Sequence, residues 1–287
     1  MDGTSTRTPV TVDAAPNLAA LYAKAVATTP TRRGDALPTT EYVREEVPVD
    51  RDHLADYDRV CGFGLRDELP PTYPHVLAFG LSVRLMTDPD FPFPLVGLVH
   101  VANEIEQRRP LRADEALTQR VRLQNLRPHP KGQQFDVVTE TSTGGELVWR
   151  EWSTYLRRGK ADESAPRDAR LPEPAGEPTA SWTLDGGLGR RYAQVSGDRN
   201  PIHLHPLAAK PFGFPRTIAH GMWSKARCLA ALEGRLPAEC RIRAEFRKPV
   251  LLPSAVDFQA DEAGGGWDFA LRSRKSPETK HLVGTVR

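Results

Sequence analysis

The densest run of reactive side-chain types lies between Tyr192 and Met222. There Y-A-Q-V-S-G-D-R-N-P-I-H is followed by G-F-P-R-T-I-A-H-G-M. Asp198 and His203 stand five residues apart, with Asn200 and Pro201 between them. A continued helix would not bring positions i and i+5 together. Gly197 and Pro201 instead predict a turn, which can aim both side chains at one point. A carboxylate and an imidazole around one water suit the addition or removal of water, because His holds or releases a proton near neutral pH while Asp orients the water. Removing a proton beside a thioester carbonyl also requires a donor for the enolate oxygen. A helix start supplies backbone N–H groups for that purpose. Gly221, without a side chain and just ahead of a predicted long helix, allows close approach.

Other chemistries fit these residues less well. His203, His205 and His220 with Asp198 invite a metal site, but no HExxH or comparable frame exists, and a bound metal would occupy the imidazole that water chemistry needs. No metal is therefore expected. Ser196 lacks the G-x-S-x-G elbow of a nucleophile and suits turn formation. His205 reads as exposed or structural, and His220 as orienting the loop before the helix. The cysteines Cys61, Cys228 and Cys240 are odd in number and widely spaced, which predicts buried thiols rather than a disulfide framework.

The elements that must position this cluster follow from pattern and punctuation. In the C-terminal part, a strand at 182–184 precedes a helix at 188–195, then a loop, then a longer helix from about Met222 to Glu233 ended by Gly234. Strands are predicted at 241–246, 255–260, 267–272 and 282–286, separated by Pro, Asp and Gly clusters. The N-terminal part has strand equivalents at 99–106, 116–126, 133–141 and 147–156. Successive strands joined by short turns mean antiparallel sheets, each covered by a helix, in an α+β fold.

Two landmarks suggest a duplication. Tyr57-Asp58-Arg59-Val60-Cys61-Gly62-Phe63 matches Tyr192-Ala193-Gln194-Val195-Ser196-Gly197-Asp198 at an offset of 135, and Arg109-Pro110-Leu111 parallels Lys248-Pro249-Val250 at an offset of 139. The division expected is an N-terminal arm (1–36), a first repeat (37–158), a Pro-rich linker (159–180) that cannot bury a core, and a second repeat (181–287). Within the arm, 1–16 is expected to be loose. Residues 17–28 read as a short helix capped by Asn17, followed by Pro30, with Leu18, Leu21, Tyr22, Ala25 and Val26 on one face.

The motif resembles the signature of MaoC-like, R-specific enoyl thioester hydratases (hydratase 2): Ser196, Gly197, Asp198, Asn200, Pro201, Ile202, His203 and Ala208 or Ala209, then the segment ending at Gly221-Met222. With Phe246 to Pro253, the likeness extends to the double hotdog 3-hydroxyacyl-thioester dehydratases over roughly 37–287. It implies two curved antiparallel sheets, each wrapped round a central helix, paired edge to edge in one chain. It implies Asp198 and His203 as the catalytic pair, the Gly221 N–H on the thioester oxygen, and Asn200, Ser196 and His220 as support. The implied reaction is reversible syn hydration of a trans-2-enoyl thioester to the (3R)-hydroxyacyl thioester in fatty-acid metabolism, with no metal, nucleotide or redox cofactor required. Alternatives are a thioesterase on the same fold and a non-catalytic acyl-binding or partner subunit.

The first repeat departs from the motif. Phe63 stands where Asp198 stands in the second, so one active site per chain is expected. The first repeat would shape an acyl tunnel, with Pro70, Tyr73, Phe79, Phe91 and Phe93 in its wall. Leu229 stands near the point where some family members place a hydroxyl.

Composition bounds the partners. The 287 residues carry 39 Lys and Arg against 37 Asp and Glu, a net charge of +2, which argues against nucleic-acid binding through bulk charge. The substrate carrier expected is CoA or acyl carrier protein, met by basic residues at the tunnel mouth: Lys210, Arg216, Lys225, Arg241, Arg243, Arg247 and Lys248. No run of ~18 apolar residues predicts a membrane span. With Asp2 and Asp13 early in the chain, no signal peptide is read. A soluble cytoplasmic protein is expected, and a homo-oligomer is compatible with the reading.

Overall fold

In the computed structural model, residues 8–28, 34, 36–95, 97–160, 162–166 and 169–287 are described. Residues 1–7, Pro30, the side chain of Val26 and linker residues 161, 167 and 168 lie outside them, so the expectations placed there stand as they were.

The chain order is β1 (Thr8–Thr11), α1 (Leu18–Thr28), β2 (Thr40–Val47), α2 (Arg51–Cys61), α3 (Tyr73–Met86), β3 (Leu98–Gln107), β4 (Leu117–His129), β5 (Gly132–Thr143), β6 (Glu146–Arg158), β7 (Ala180–Leu184), α4 (Leu188–Ser196), α5 (Pro201–Leu204), α6 (Pro206–Ala209), α7 (Gly221–Ala231), β8 (Cys240–Phe246), β9 (Ser254–Ala263), β10 (Gly266–Ser273) and β11 (Lys280–Val286). The strands form one eleven-stranded sheet in the order β1-β2-β4-β5-β6-β3-β8-β11-β10-β9-β7. Every pairing is antiparallel except β1 on β2.

Each half wraps one helix. Helix α3 is buried along most of its length, as expected of a helix that is apolar all round. It packs on β4 and β5 over a core of Leu81, Leu85, Phe91, Phe135 and Val137. Helix α7 buries Met222, Trp223, Ala226, Cys228 and Leu229 against the second half. The hotdog arrangement implied by the motif is therefore present twice. The two curved halves join edge to edge where β3 pairs β8 from Ala102↔Glu245 to Gln107↔Cys240.

The repeat landmarks face each other across this join. Helices α2 and α4 both end at a left-handed glycine, Gly62 (φ 84°) and Gly197 (φ 74°), a conformation that favours glycine. Tyr57 and Tyr192 approach to 6.3 Å between ring centroids. Phe63, the counterpart of Asp198, stacks on Tyr57 in the core.

Lys225 of α7 fastens the join from beneath. It is fully buried, and its ammonium donates to the main-chain carbonyls of Asn103 on β3 (3.4 Å) and Ile242 on β8 (3.2 Å). It also bonds the Asn103 side chain, whose Nδ2 donates to Glu151 Oε1 at 2.6 Å. Glu151 in turn accepts from His75 Nδ1 at 2.9 Å. Every member of this chain has a partner, as buried polar groups require.

Several expectations change. Residues 8–11 form a parallel edge strand on 40–43, where looseness was expected. Within the expected linker, residues 169–180 are tied down: Leu171 is buried with Ala270 and Val283, and Glu173 pairs with Arg247 at 2.5 Å. Carboxylate pairing and one well-placed Leu give it an anchorage that its composition did not suggest. Helix α7 ends at Ala231 with Leu232 as its cap, short of Gly234. Cys61, Cys228 and Cys240 are free and buried. Among the described residues, no helix is long and apolar enough to cross a membrane.

Candidate active site

Three local devices bring the motif residues together. Helix α4 stops at Gly197, and the Asp198 N–H then donates to Ser196 Oγ at 3.2 Å. Asn200 caps the short helix α5, its side chain accepting from the Ile202 N–H at 3.4 Å, with Pro201 in the first turn. Residues 217–219 are stitched on both sides: the Ile218 N–H bonds the Ile202 carbonyl (3.2 Å), and the Ala219 N–H bonds the Val250 carbonyl (2.9 Å). Gly189 lets α4 press on α5, since a Cβ there would lie 2.2 Å from the His203 carbonyl oxygen.

The result is a cluster of Asp198, His203 and His220, with one donor or acceptor atom from each within 4.8 Å of the others. The His203 and His220 rings stack at 3.7 Å between centroids and 24° between planes. His203 Nδ1 lies 2.8 Å from the Ile218 carbonyl, which can only accept, so Nδ1 carries the proton and Nε2 keeps its lone pair. His220 Nε2 likewise donates to the Asp198 main-chain carbonyl at 3.0 Å, and its Nδ1 is buried without a partner. Asp198 Oδ1 accepts from the Asn200 N–H (3.1 Å) and from the Tyr22 hydroxyl (3.0 Å). Oδ2 faces His220 Nε2 at 3.9 Å.

Burial governs the charge states. It would push the Asp198 carboxyl up, but His220, His203, the Asn200 N–H and Tyr22 outweigh it and hold the group below the ordinary carboxylate range. Burial pushes His203 below its ordinary value despite the neighbouring Asp198. His220 falls to about 3, through burial first and the adjacent His203 second. The site thus carries an ionised carboxylate beside two neutral imidazoles.

All three residues line a cavity of about 390 Å³. Gly221, the first residue of α7, lines it too. Its N–H precedes the first intrahelical bond there, from the Ser224 N–H to the His220 carbonyl at 3.1 Å. A Cβ at Gly221 would lie 3.1 Å from the Phe246 ring, a tight contact that glycine avoids. Ser196 and Asn200 also reach the lining, whereas His205 caps α6 through Nδ1 on the Leu207 N–H.

Of the five expected tunnel residues, Phe79 alone lines the cavity. Phe91 and Phe93 pack with Phe135, Tyr73 meets Tyr57 edge-on, and Pro70 is buried away from the cavity. The first half contributes His75, Leu98, His100 and Tyr155 instead, from the start of α3 and from β3 and β6. Of the basic residues expected at the mouth, Arg247 and Lys248 line the cavity, joined by the exposed Arg158. Arg241 and Arg243 pair with Glu104 on the sheet, and Lys225 is in the interior. Leu229 is fully buried, while Ser224, one turn into α7, reaches the cavity with its Oγ on the His220 carbonyl at 3.3 Å. Tyr22, His75, His100 and Ser224 carried no motif signal. Tyr22 appeared only as one apolar-face position of the N-terminal helix.

Comparison with known proteins follows this geometry. A family profile described as MaoC like domain matches residues 177–279. The chain is 40% identical to 3-hydroxyacyl-thioester dehydratase X of Mycobacterium tuberculosis over 261 residues, covering 89% of this chain and 91% of that one. The crystal structure of HtdX from the same organism superposes with a TM-score of 0.77 at 39% identity, covering 86% of this chain and 99% of that chain. A MaoC-like dehydratase structure from Phytophthora capsici, 20% identical, shares the fold with a TM-score of 0.71 over 86% of this chain and 94% of that one.

Proposed function

This chain belongs to the MaoC-like dehydratase family, and from that premise we propose that it is a 3-hydroxyacyl-thioester dehydratase, a hydro-lyase that reversibly hydrates trans-2-enoyl thioesters to (3R)-hydroxyacyl thioesters. The observation that carries the reading is the ionised Asp198 carboxylate beside an imidazole whose Nε2 keeps its lone pair, in a cavity that begins at a helix N-terminus.

The catalytic assignment is Asp198 and His203. A water oxygen hydrogen-bonded to both would sit ~2.8 Å from each, which suits atoms less than 4.8 Å apart. In the hydration direction Asp198 orients that water for attack on C3, His203 Nε2 takes a proton from it as the C3–O bond forms, and His203 then passes that proton to C2. The water oxygen ends on C3, one hydrogen ends on C2, and the protein is unchanged. Charge that builds on the thioester oxygen meets the Gly221 N–H and the positive end of α7. Dehydration is the reverse. Asn200 and Ser196 hold the turn, and His220 holds the Asp198 main chain.

The three residues lie close enough for a divalent ion. The donor set fits one poorly, because stacked imidazoles aim their in-plane lone pairs side by side.

The second repeat is read as catalytic and the first as the wall of the acyl site, giving one active site per chain. The acyl group is carried on CoA or acyl carrier protein, whose negative charge would meet Arg158 and Lys248 where the cavity opens to solvent. Incubation with a 2-enoyl-CoA tests the reading. Loss of enone absorbance without free thiol is the expected result. Thiol release would make the protein a thioesterase, and no change in either signal would leave only acyl binding.

A further inference from the structure

The N-terminal arm lies against the active-site turn. Parallel pairing of Thr8–Thr11 with Thr40–Val43 fixes its start, and Asn17 caps α1, accepting from the Ala20 N–H at 3.2 Å. Leu18 seats on Gly197, where an added Cβ would lie 2.5 Å from Leu18 Cδ1, and Ala25 is buried. These contacts deliver the Tyr22 hydroxyl to Asp198 Oδ1 at 3.0 Å, across 176 residues of sequence.

We propose that Tyr22 is a positioning residue for Asp198, so that the N-terminal arm, outside the matched MaoC like domain, completes the active site of its own chain. The inference rests on the hydratase reading above. Its geometry is one-sided. Asp198 lines the cavity, but Tyr22 does not, so the hydroxyl approaches the carboxylate from behind. With the Asn200 N–H it gives Oδ1 two donors, and two donors on one oxygen fix the carboxylate plane and leave Oδ2 for the reacting water. Burial, and then the charge of Asp198, raises the Tyr22 hydroxyl far above its ordinary range, so it remains a donor throughout the working pH range. The other titratable groups facing Asp198 are His203 on α5, His220 ahead of α7, Tyr155 on β6, Tyr192 on α4 and, further off, His100 on β3. None of these donates to Oδ1.

Tyr22→Phe keeps the ring and removes only the donor. Its kcat should fall about tenfold with KM within twofold, and the lower of the two midpoints in the acid limb of kcat/KM, that of the carboxyl, should move up by about one pH unit, because losing a donor to the ionised form favours the protonated carboxyl. A merely structural arm would not move that limb. Leu18→Ala, which loosens the helix but keeps the hydroxyl, should give the same shift with smaller size, and it decides the matter if the Phe variant unfolds. Superimposable pH profiles in both variants overturn the proposal, as does a rise in KM alone, which would make α1 a substrate contact. If wild type hydrates enoyl-CoA and Asp198→Asn does not, while Tyr22→Phe matches wild type, this inference fails and the function stands. If wild type has no hydratase activity, both fall.

Discussion

At the residue scale the account depends on two protonation states held by burial and hydrogen bonds. Asp198→Asn and His203→Ala should each lower kcat by about a thousandfold while the variants remain folded, since neither residue belongs to the hydrophobic core clusters. Wild-type turnover in either variant would remove that residue from the chemistry. The pH profile follows from the same groups. Asp198 must be ionised and His203 neutral, and both sit below their ordinary values of 3.8 and 6.5. Activity should therefore stay level as pH falls to 6.5 and decline only below it. A midpoint above 6.5 would contradict the assignment. The meeting of Asp198 and His203 was legible because their spacing and the intervening Gly and Pro describe a turn within one short segment. Tyr22, His75 and Ser224 were not legible, because their place in the site depends on helix packing across long stretches of chain. The tunnel aromatics misled for the same reason: Phe91 and Phe93 obey the general tendency of aromatics to fill cores.

At the element scale, glycine governs how closely helices approach. Gly189→Ala would force a Cβ onto the His203 carbonyl and separate α4 from α5. It should cost about 1–3 kcal/mol in urea unfolding and lower kcat with it, through a displaced imidazole. Unchanged stability and rate in this variant would show that α5 is not held by that contact. Strands β3 to β11 were readable to within a few residues, because turn residues punctuate them and because 117–126 and 255–260 alternate apolar and polar side chains with a period of two. The first two strands of the chain, β1 and β2, were not. β1 has four residues and β2 carries the charged run Arg44-Glu45-Glu46, so neither showed a buried face before its partner was known. Helix α3 lacked an amphipathic signature for the opposite reason: nearly every side is buried.

At the scale of the whole molecule, the β3–β8 pairing makes two hotdogs one body, and the cavity takes its wall from both. Lys225 crosses that seam as a buried amine, pushed down to about 7 from 10.5 chiefly by desolvation. Between those values the unfolded chain holds a proton that the folded chain does not, so folding stability should rise with pH from about 7 toward 10.5, by at most ~1.4 kcal/mol per unit. Subtracting the urea stability of Lys225→Met at each pH isolates this slope. A difference that stays flat across the window would show that the amine is not held uncharged. The edge-to-edge pairing was implied by the family resemblance, whereas the Lys225–Asn103–Glu151–His75 chain was invisible, since its members come from two strands and from one helix of each half. The central claim concerns where one water goes. Hydration of a trans-2-enoyl-CoA in deuterated water should yield the (3R)-hydroxyacyl-CoA with a single deuterium at C2, syn to the new hydroxyl, and no free CoA. Anti addition, a racemic C3 or thiol release would contradict it.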